Sequence, residues 1–426
     1  MNEVRTCSIR DVSLGVYDGP HATPPPSDSG AIFLGIRNIT EDGQLKLDSP
    51  RYISEDDLPK WTKRVTPRGG DIVFSYEATL NLYAIIPEGF HGCLGRRMGL
   101  IRPNPEEIDG KFLYYYFFSP QWRKLIAQKT VVGSTVNRIP IDSFPDFKLL
   151  LPSKSKQAEI AAVLSAIDEK LKHNNELIRM LEEQAQLVYD YWFMQYDFPD
   201  KNGKPYRSSG GKMEWNAKLK RELPEGWCVC PLSEHISSVN TGLNPRQNFT
   251  LGKGDIRYIT VKNLTVDGSL NFDGCDTVDE EARAIIHARS DIQVGDILFA
   301  SIAPLGRCYL IFDEPETWDI NESVFSIRPR RTCMTPSYLY IYLRSDEFVQ
   351  KATASSTGSI FLGIRHKALL EMRAVLPPMD VLESFEKRVE PLLKRRDSLM
   401  SENNDLAAQR DFLLPRLMSG QVTVAD

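Results

Sequence analysis

Nowhere in this 426-residue sequence do about eighteen apolar residues run together, so no membrane-spanning helix is expected. The opening residues, Met1 to Asp11, lack the basic-then-apolar pattern of a secretory signal. Cysteines are few: seven, scattered, and odd in number. The closest pair, Cys228 and Cys230, has the wrong spacing for a Cys-x-x-Cys site and would put both thiols on one face of a strand. A structural zinc is therefore not expected, and a reduced cytoplasmic setting fits best. The histidines at 21, 91, 173, 235, 287 and 366 are isolated, without metal-ligand spacing.

Motifs of common chemistry are missing too. There is no G-x-x-x-x-G-K-[ST] phosphate loop, no G-x-G-x-x-G dinucleotide turn, and no Asp/Asn-Pro-Pro-aromatic tetrapeptide of an amino-methyltransferase. No catalytic residue, cofactor site or metal site is assigned to the chain. A basic excess is also lacking, since the formal net charge is −5. That argues mildly against a bare nucleic-acid binder without excluding one, because local patches steer binding. Hydrophobic content of 42% with 26% charged residues places the chain among folded globular proteins of two or three domains.

What is present is repetition. "IFLGIR" occurs at 32–37 and again at 360–365, but its neighbours do not repeat at that spacing, which marks a coincidence of β-rich sequence. A shift of 225 residues does better. It lays "IRNIT" (36–40) on "VKNLT" (261–265), "GDIVFS" (70–75) on "GDILFA" (295–300), and Leu151-Pro152 on Leu376-Pro377. With one extra residue, "LIRP" (100–103) meets "SIRP" (326–329). Two large modules are thus expected, each with short strands broken by turns such as "TEDGQL" and "TVDGSL". Each continues with a helical stretch, a Gly-Ser turn, a last strand and a long helix. "YYYFF" (114–118) lies inside the first helical stretch and reads as core rather than a base-stacking platform.

The long helices carry 4-3 spaced seams. The first runs Ile160, Leu164, Ile167, Leu171, Asn174, Ile178, Leu181, Ala185, Val188, Trp192. The second runs Phe385, Val389, Leu392, Arg396, Leu399, Asn403, Leu406, Arg410, Leu413, Leu417. Parallel pairing would face Asn174 with Leu399, burying an unpaired amide at roughly 1–3 kcal/mol. Antiparallel pairing brings Asn174 to Asn403, and Ile178 to Leu399. These asparagines are read as the register device, with Arg396 and Arg410 snorkelling outward. Ser155 and Asp380 are the expected N-caps, Pro415 the expected stop or bend, and "IDEKLK" (167–172) a solvated face.

The expected organisation is 1–152 first module, 153–197 long helix, 198–225 loop-like linker, 226–377 second module, 378–426 second long helix and tail. The fold class is α+β: two tandem, twofold-related α/β domains separated by two long helices in an antiparallel coiled coil spanning on the order of 57 Å. This order of elements resembles the specificity subunit of type I restriction–modification enzymes. The resemblance covers nearly the whole chain and rests on "LGVYDGPHATPPPSDSGAIFLGIRNI", "LPEGWCVCPLSEHISSVNTG", the Gly-Asp-Ile of each half, "GSTVNRIPIDSFPDFKLLLPSKSKQAEIAAVLSAIDEKL" and "LLPRLMSGQVTV". Its helix lead-ins, "LPSKSKQAE" and "LPPMDVLES", depart from the family's Leu-Pro-Pro then Glu-Gln pattern.

The resemblance implies a non-catalytic, cytoplasmic subunit that binds double-stranded DNA and holds two methyltransferase and two restriction subunits. S-adenosylmethionine, ATP and Mg would be bound by those partners, none by this chain. It also implies a bipartite site with roughly 5–8 unread base pairs at about 3.4 Å each. Candidate DNA contacts in the first half are Tyr17, His21, Thr23, Arg37, Asn38, Arg96, Arg97, Thr135, Asn137 and Arg138. In the second half they are Thr241, Asn244, Arg246, Gln247, Lys262, Asn263, Ser356, Thr357 and Ser359, side-chain types that read base edges from polar loops. Two other readings remain: a non-DNA coiled-coil scaffold with two protein-binding modules, and a free-standing DNA-modifying enzyme, which would need a cofactor site.

Overall fold

The computed structural model describes residues 4–133, 136–356 and 363–424. The chain is α+β and divides into two compact units, Met1–Lys172 with Asn403–Asp426, and His173–Glu402.

In unit 1, Ser13–Asp18, Met98–Pro103, Ile72–Ser75 and Tyr83–Ile85 lie side by side in that order, every neighbour antiparallel. A second sheet orders Arg51–Ile53, Ala31–Leu34 and Gly92–Leu94, the last pair parallel. Arg5–Ser8 pairs with Lys148–Leu151. All four residues of Ile72–Ser75 are buried, as its β-branched and aromatic run suggests. The helical stretch is two helices, Gly110–Tyr116 and Pro120–Lys129, capped by Asp109 and Ser119 side chains. Tyr114 to Phe117 are buried in the core, where Phe74 stacks on Phe144 at 4.5 Å and Tyr83 on Phe117 at 4.6 Å.

Unit 2 has the same strand orders. Ile236–Thr241, Val324–Pro329, Ile297–Ala300 and Cys308–Leu310 form its four-stranded sheet. Asp276–Val278, Ile256–Ile259 and Trp318–Ile320 form the three-stranded one, again with a parallel last pair. Cys228–Pro231 pairs with Arg373–Leu376.

The repeated motifs explain one another. Asp71 of the first Gly-Asp-Ile accepts two bonds from Arg102 of "LIRP", at 2.8 and 2.7 Å. Asp296 of the second accepts two from Arg328 of "SIRP", at 2.8 and 2.9 Å. Both carboxylates are almost wholly buried, so these pairs fix the central strands. Gly43 and Gly268 hold φ of 88° and 82° in the two equivalent turns, a region that favours glycine.

The first long helix is Lys154–Tyr189, prolonged by a π turn over Asp190–Met194, and the second is Met379–Ser419. No residue of either expected seam is exposed. Within unit 1, Ile160 and Leu164 share a core cluster with Leu414 and Leu417, and Asp168 pairs with Arg410 at 3.2 Å. Within unit 2, Asn174 meets Glu402, Glu182 meets Arg396, and Trp192 meets Phe385. Numbers rise on one helix as they fall on the other, so the segments inside unit 2 run antiparallel.

Several expectations are corrected. Arg396 does not snorkel. It is 2% exposed, bonded to Glu182 Oε1 at 2.6 Å and to the carbonyls of Asp267 and Gly268. Arg410 is likewise held, by Asp168, so the turn and carboxylates supply what solvent was expected to. Asp168 belongs to no solvated face, for it also accepts from Tyr115 Oη at 2.6 Å. Ser153, not Ser155, stands before the first helix, its carbonyl taking the Gln157 N–H. Asp380 lies within the first turn of the second helix, which begins at Met379. That helix continues through Pro415 to Ser419. The linker expected as loop contains the hairpin Met213–Asn216 with Arg221–Pro224, and its Phe198 and Leu223 are core residues of unit 2.

Candidate nucleic-acid interface

Backbone bonds gather the loops of unit 1 at one end of its sheets. Gly19 N–H donates to Met98 O at 2.8 Å and Gly95 N–H to Leu34 O at 2.7 Å. Tyr76 N–H donates to Arg97 O at 3.2 Å, and Ile139 N–H to Tyr76 O at 2.7 Å. The loops near residues 19, 35, 77, 96 and 138 are thereby joined. Gly19 is required there, since a Cβ would collide with the Gly95 carbonyl.

Three of these bonds recur at equivalent positions in unit 2, and Gly242, the counterpart of Gly19, donates instead to the counterpart of Gly95. Gly242 N–H donates to Asn321 O, Asn321 N–H to Ile259 O, Ser301 N–H to Ser323 O, and Ile364 N–H to Ser301 O. The bridge between Glu77 and Arg138 in unit 1 becomes one between Ile302 and Gly363. The frame repeats, whereas the side chains on it change.

In unit 1, Arg37, Arg96, Asn137 and Arg138 are exposed on this loop end. Arg37, Arg96 and Arg138 have no carboxylate partner among the described residues. Arg97 is half-buried and 3.6 Å from Glu77. His21 pairs with Asp18 at 3.0 Å, and Asp18 also takes Arg64. Burial, reinforced by Asp18 and Glu77, pushes the Tyr76 hydroxyl up to about 12, so it stays a donor, to Arg96 O at 3.2 Å. Tyr17 lies at the end of strand Ser13–Asp18, partly packed on the core, and Thr23 is exposed on the following loop.

Asn38 is a correction. It is 4% exposed, accepts from Gly35 N–H at 2.9 Å and donates to Lys46 O at 3.1 Å. Asn263 does the same in unit 2, accepting from Thr260 N–H at 2.9 Å and donating to Asn271 O at 3.0 Å. Both amides cap a 3-10 turn and are occupied by backbone, which takes them off the surface.

In unit 2, Lys262, Arg246 and Gln247 are exposed, Thr241 ends strand Ile236–Thr241, and the Asn244 carbonyl accepts from Asn248 at 2.9 Å. Ser356 closes helix Asp346–Ala354, its hydroxyl donating to Ala352 O at 2.8 Å. Thr135, Thr357 and Ser359 lie outside the described residues.

This geometry stands beside a set of known proteins. Residues 32–183 match the family model described as type I restriction modification DNA specificity domain. That stretch belongs to the type I DNA specificity family. A HindI specificity subunit from Haemophilus influenzae is 22% identical, over 86% of this chain and 89% of its own length. A MjaIX specificity subunit from Methanocaldococcus jannaschii is also 22% identical, over 88% and 83%. The fold is similar to that of the type I S subunit from M. genitalium, with a TM-score of 0.63 at 17% identity over 98% of this chain and 96% of that one.

Two basic positions of this specificity-type frame escaped sequence reasoning. Arg64 reaches the loop end through Asp18. Arg365 is exposed beside Ile364, whose N–H is bonded to Ser301. Its signal was the basic run Arg365-His366-Lys367 closing the second "IFLGIR", set aside because it breaks the period. The repeated positions carry different chemistry: Arg96-Arg97 against Glu322-Ser323, and Arg138 against Gly363.

Proposed function

We propose that this chain is the sequence-reading specificity subunit of a type I restriction–modification complex. Each unit reads one half of a split duplex target with its loop end. The observation that carries this is a hydrogen-bond frame repeated in both units beneath loop tips that differ. One docking geometry serves both half-sites, while unlike tips read unlike bases. The names of the related proteins support the same reading.

The two long helices are, in this proposal, an antiparallel coiled coil that sets the spacer between half-sites and docks the methyltransferase subunits. In support, Leu177, Met180, Leu187, Tyr191 and Met194 make a stripe of exposed apolar side chains at helical spacing along residues 177–194. Restriction subunits complete the assembly, and S-adenosylmethionine, ATP and Mg belong to the partners.

The test is a genome-wide map of N6-methyladenine in the native host with and without this gene. Loss of one split motif, with roughly 5–8 unspecified pairs between its halves, is expected. An unchanged map in a host expressing intact partners refutes the proposal and turns attention to the scaffold reading.

A further inference from the structure

Near the entry of the chain into the strand-rich part of unit 2 lies a cluster that neither the frame nor the loop end uses. Cys228 and Cys230 project from one side of strand Cys228–Pro231, their sulfurs 3.2 Å apart. His235 follows the turn Leu232–Glu234 and brings Nε2 to 3.1 Å from Cys230 Sγ. These three ligand atoms all lie within 4.8 Å of one another. The other ring nitrogen, Nδ1, is 3.3 Å from the Cys333 carbonyl. A carbonyl can only accept, so Nδ1 carries the proton and Nε2 turns its lone pair toward the sulfurs. An outer hydrogen bond that fixes the ligating nitrogen is how metal-binding histidines are held.

The duplication supplies an internal comparison. Arg5 sits opposite Leu151 in unit 1 as Cys228 sits opposite Leu376 in unit 2. Glu107 precedes helix Gly110–Tyr116 by three residues, as Cys333 precedes Pro336–Arg344. In unit 1 these two positions meet as an ion pair, Arg5 Nη2 to Glu107 Oε2 at 2.8 Å. Unit 2 has a thiol at both. Cys7 matches Cys230, but Val12 matches His235, so unit 1 keeps one ligand of four.

We propose that Cys228, Cys230 and His235 form a site for a soft divalent cation, zinc by the chemistry of its ligands, and that the Cys333 sulfur, which lies outside this three-atom cluster and 3.8 Å from the Glu234 carbonyl, turns in to close the fourth position. Thiolate and imidazole donors favour zinc over the hard cations. Tetrahedral zinc with bonds of about 2.3 Å sets its sulfurs about 3.8 Å apart, so the pair need open by only roughly half an ångström. The metal would staple the first strand of the unit to the segment before helix Pro336–Arg344, doing with coordination what Arg5 and Glu107 do with charge. The sequence argued against such a site because Cys-x-Cys is not Cys-x-x-Cys and the histidines stand isolated. Strand geometry and the fold remove both objections.

The experiment titrates the full chain, reduced and stripped by chelator, with Co²⁺ and then Zn²⁺. One Co²⁺ per chain is expected, with the sulfur-to-cobalt charge-transfer band and ligand-field bands of a tetrahedral site, bleached by Zn²⁺. Cys228→Ser, at an exposed position, and Cys333→Ser should each weaken binding roughly tenfold or more, while Cys93→Ser in unit 1 leaves it unchanged. Absence of the charge-transfer band in a chain whose seven thiols titrate as reduced overturns the proposal, whatever the variants do. A Cys228–Cys230 disulfide that persists in reductant overturns it equally.

Discussion

The two Asp–Arg pairs beneath the central strands allow each unit to be perturbed separately. Asp296 is 2% exposed and accepts from Arg328 Nε and Nη2, from Ser326 Oγ at 3.0 Å, and from Gln293 N–H at 3.1 Å. Asp296→Ala therefore strands a hydroxyl, a backbone N–H and part of a guanidinium. Removing one partner of a buried pair costs about 3–5 kcal/mol. Arg328 retains Asp291 at 2.8 Å, which places this variant near the lower end, about 3 kcal/mol. Arg328→Ala should cost more, because it leaves the Asp296 carboxylate buried without its cation. Asp296→Asn keeps an acceptor and the shape, and should cost about 1–3 kcal/mol. In unit 1, Asp71→Ala removes the acceptor of two Arg102 bonds and of the Arg68 N–H at 2.9 Å. A loss of about 3 kcal/mol is expected there too.

A chain of two units need not unfold in one step, so a single melting midpoint would mix the two effects. Hydrogen exchange followed by mass spectrometry across a denaturant series resolves them. Asp296→Ala should lower protection in Ile297–Ala300 and Val324–Pro329 while Ile72–Ser75 and Met98–Pro103 hold, and Asp71→Ala should do the reverse. A cost below about 1 kcal/mol for Asp296→Ala, or equal loss in both units, refutes the assignment of these pairs as separate struts.

Three further outcomes are expected. Burial, with Arg396 opposing and Asp313 adding, pushes the Asp397 carboxyl from 3.8 to about 6. The folded state then holds more protons between about pH 4 and 6, so unit 2 loses stability as pH rises through that window; Asp397→Asn should flatten the slope and add up to about 2 kcal/mol at pH 7, and an unchanged slope in denaturant melts rejects this. Arg138→Ala should weaken the assembled complex on targets varied in one half-site, and Lys262→Ala on those varied in the other, by about 1–3 kcal/mol each in binding titrations; equal effects on both halves would count against one reader per unit. Leu187→Glu, at a position 66% exposed, should leave stability within about 0.5 kcal/mol yet abolish co-purification with a methyltransferase subunit, whose retention would remove that stripe as the dock.

How far these features were legible follows from the range over which each is determined. The repeat and its strand plan could be read directly, because turn glycines and alternating apolar residues are local signals. Asn174 is buried, as its place in the seam suggested, and its amide donates to Glu402 at 3.1 Å, a carboxylate that the expected pairing with Asn403 did not include. The fate of Arg396 was not legible, for it depends on carbonyls of a turn more than a hundred residues away. Asn38 and Asn263 misled because an amide in a polar loop looks the same whether it faces DNA or its own backbone. The shared face of Cys228 and Cys230 was legible, but the cluster was not, because His235 reaches Cys230 only through the turn Leu232–Glu234.

The duplicated chain also separates frame from readout without reference to any other sequence. Positions that serve both units identically are those with internal work: Asp71 and Asp296, Arg102 and Arg328, Asn38 and Asn263, Gly43 and Gly268. Each is committed to a buried bond or a constrained turn, so neither copy can change without loss of stability. Positions that differ, Arg96 and Glu322, Arg97 and Ser323, Arg138 and Gly363, sit on the loop end held by that frame. A protein-binding scaffold with one ligand would have reason to keep such tips alike. Unlike tips on a shared frame fit the proposed reader of two unlike half-sites, and they direct mutagenesis of target choice to those three pairs of positions.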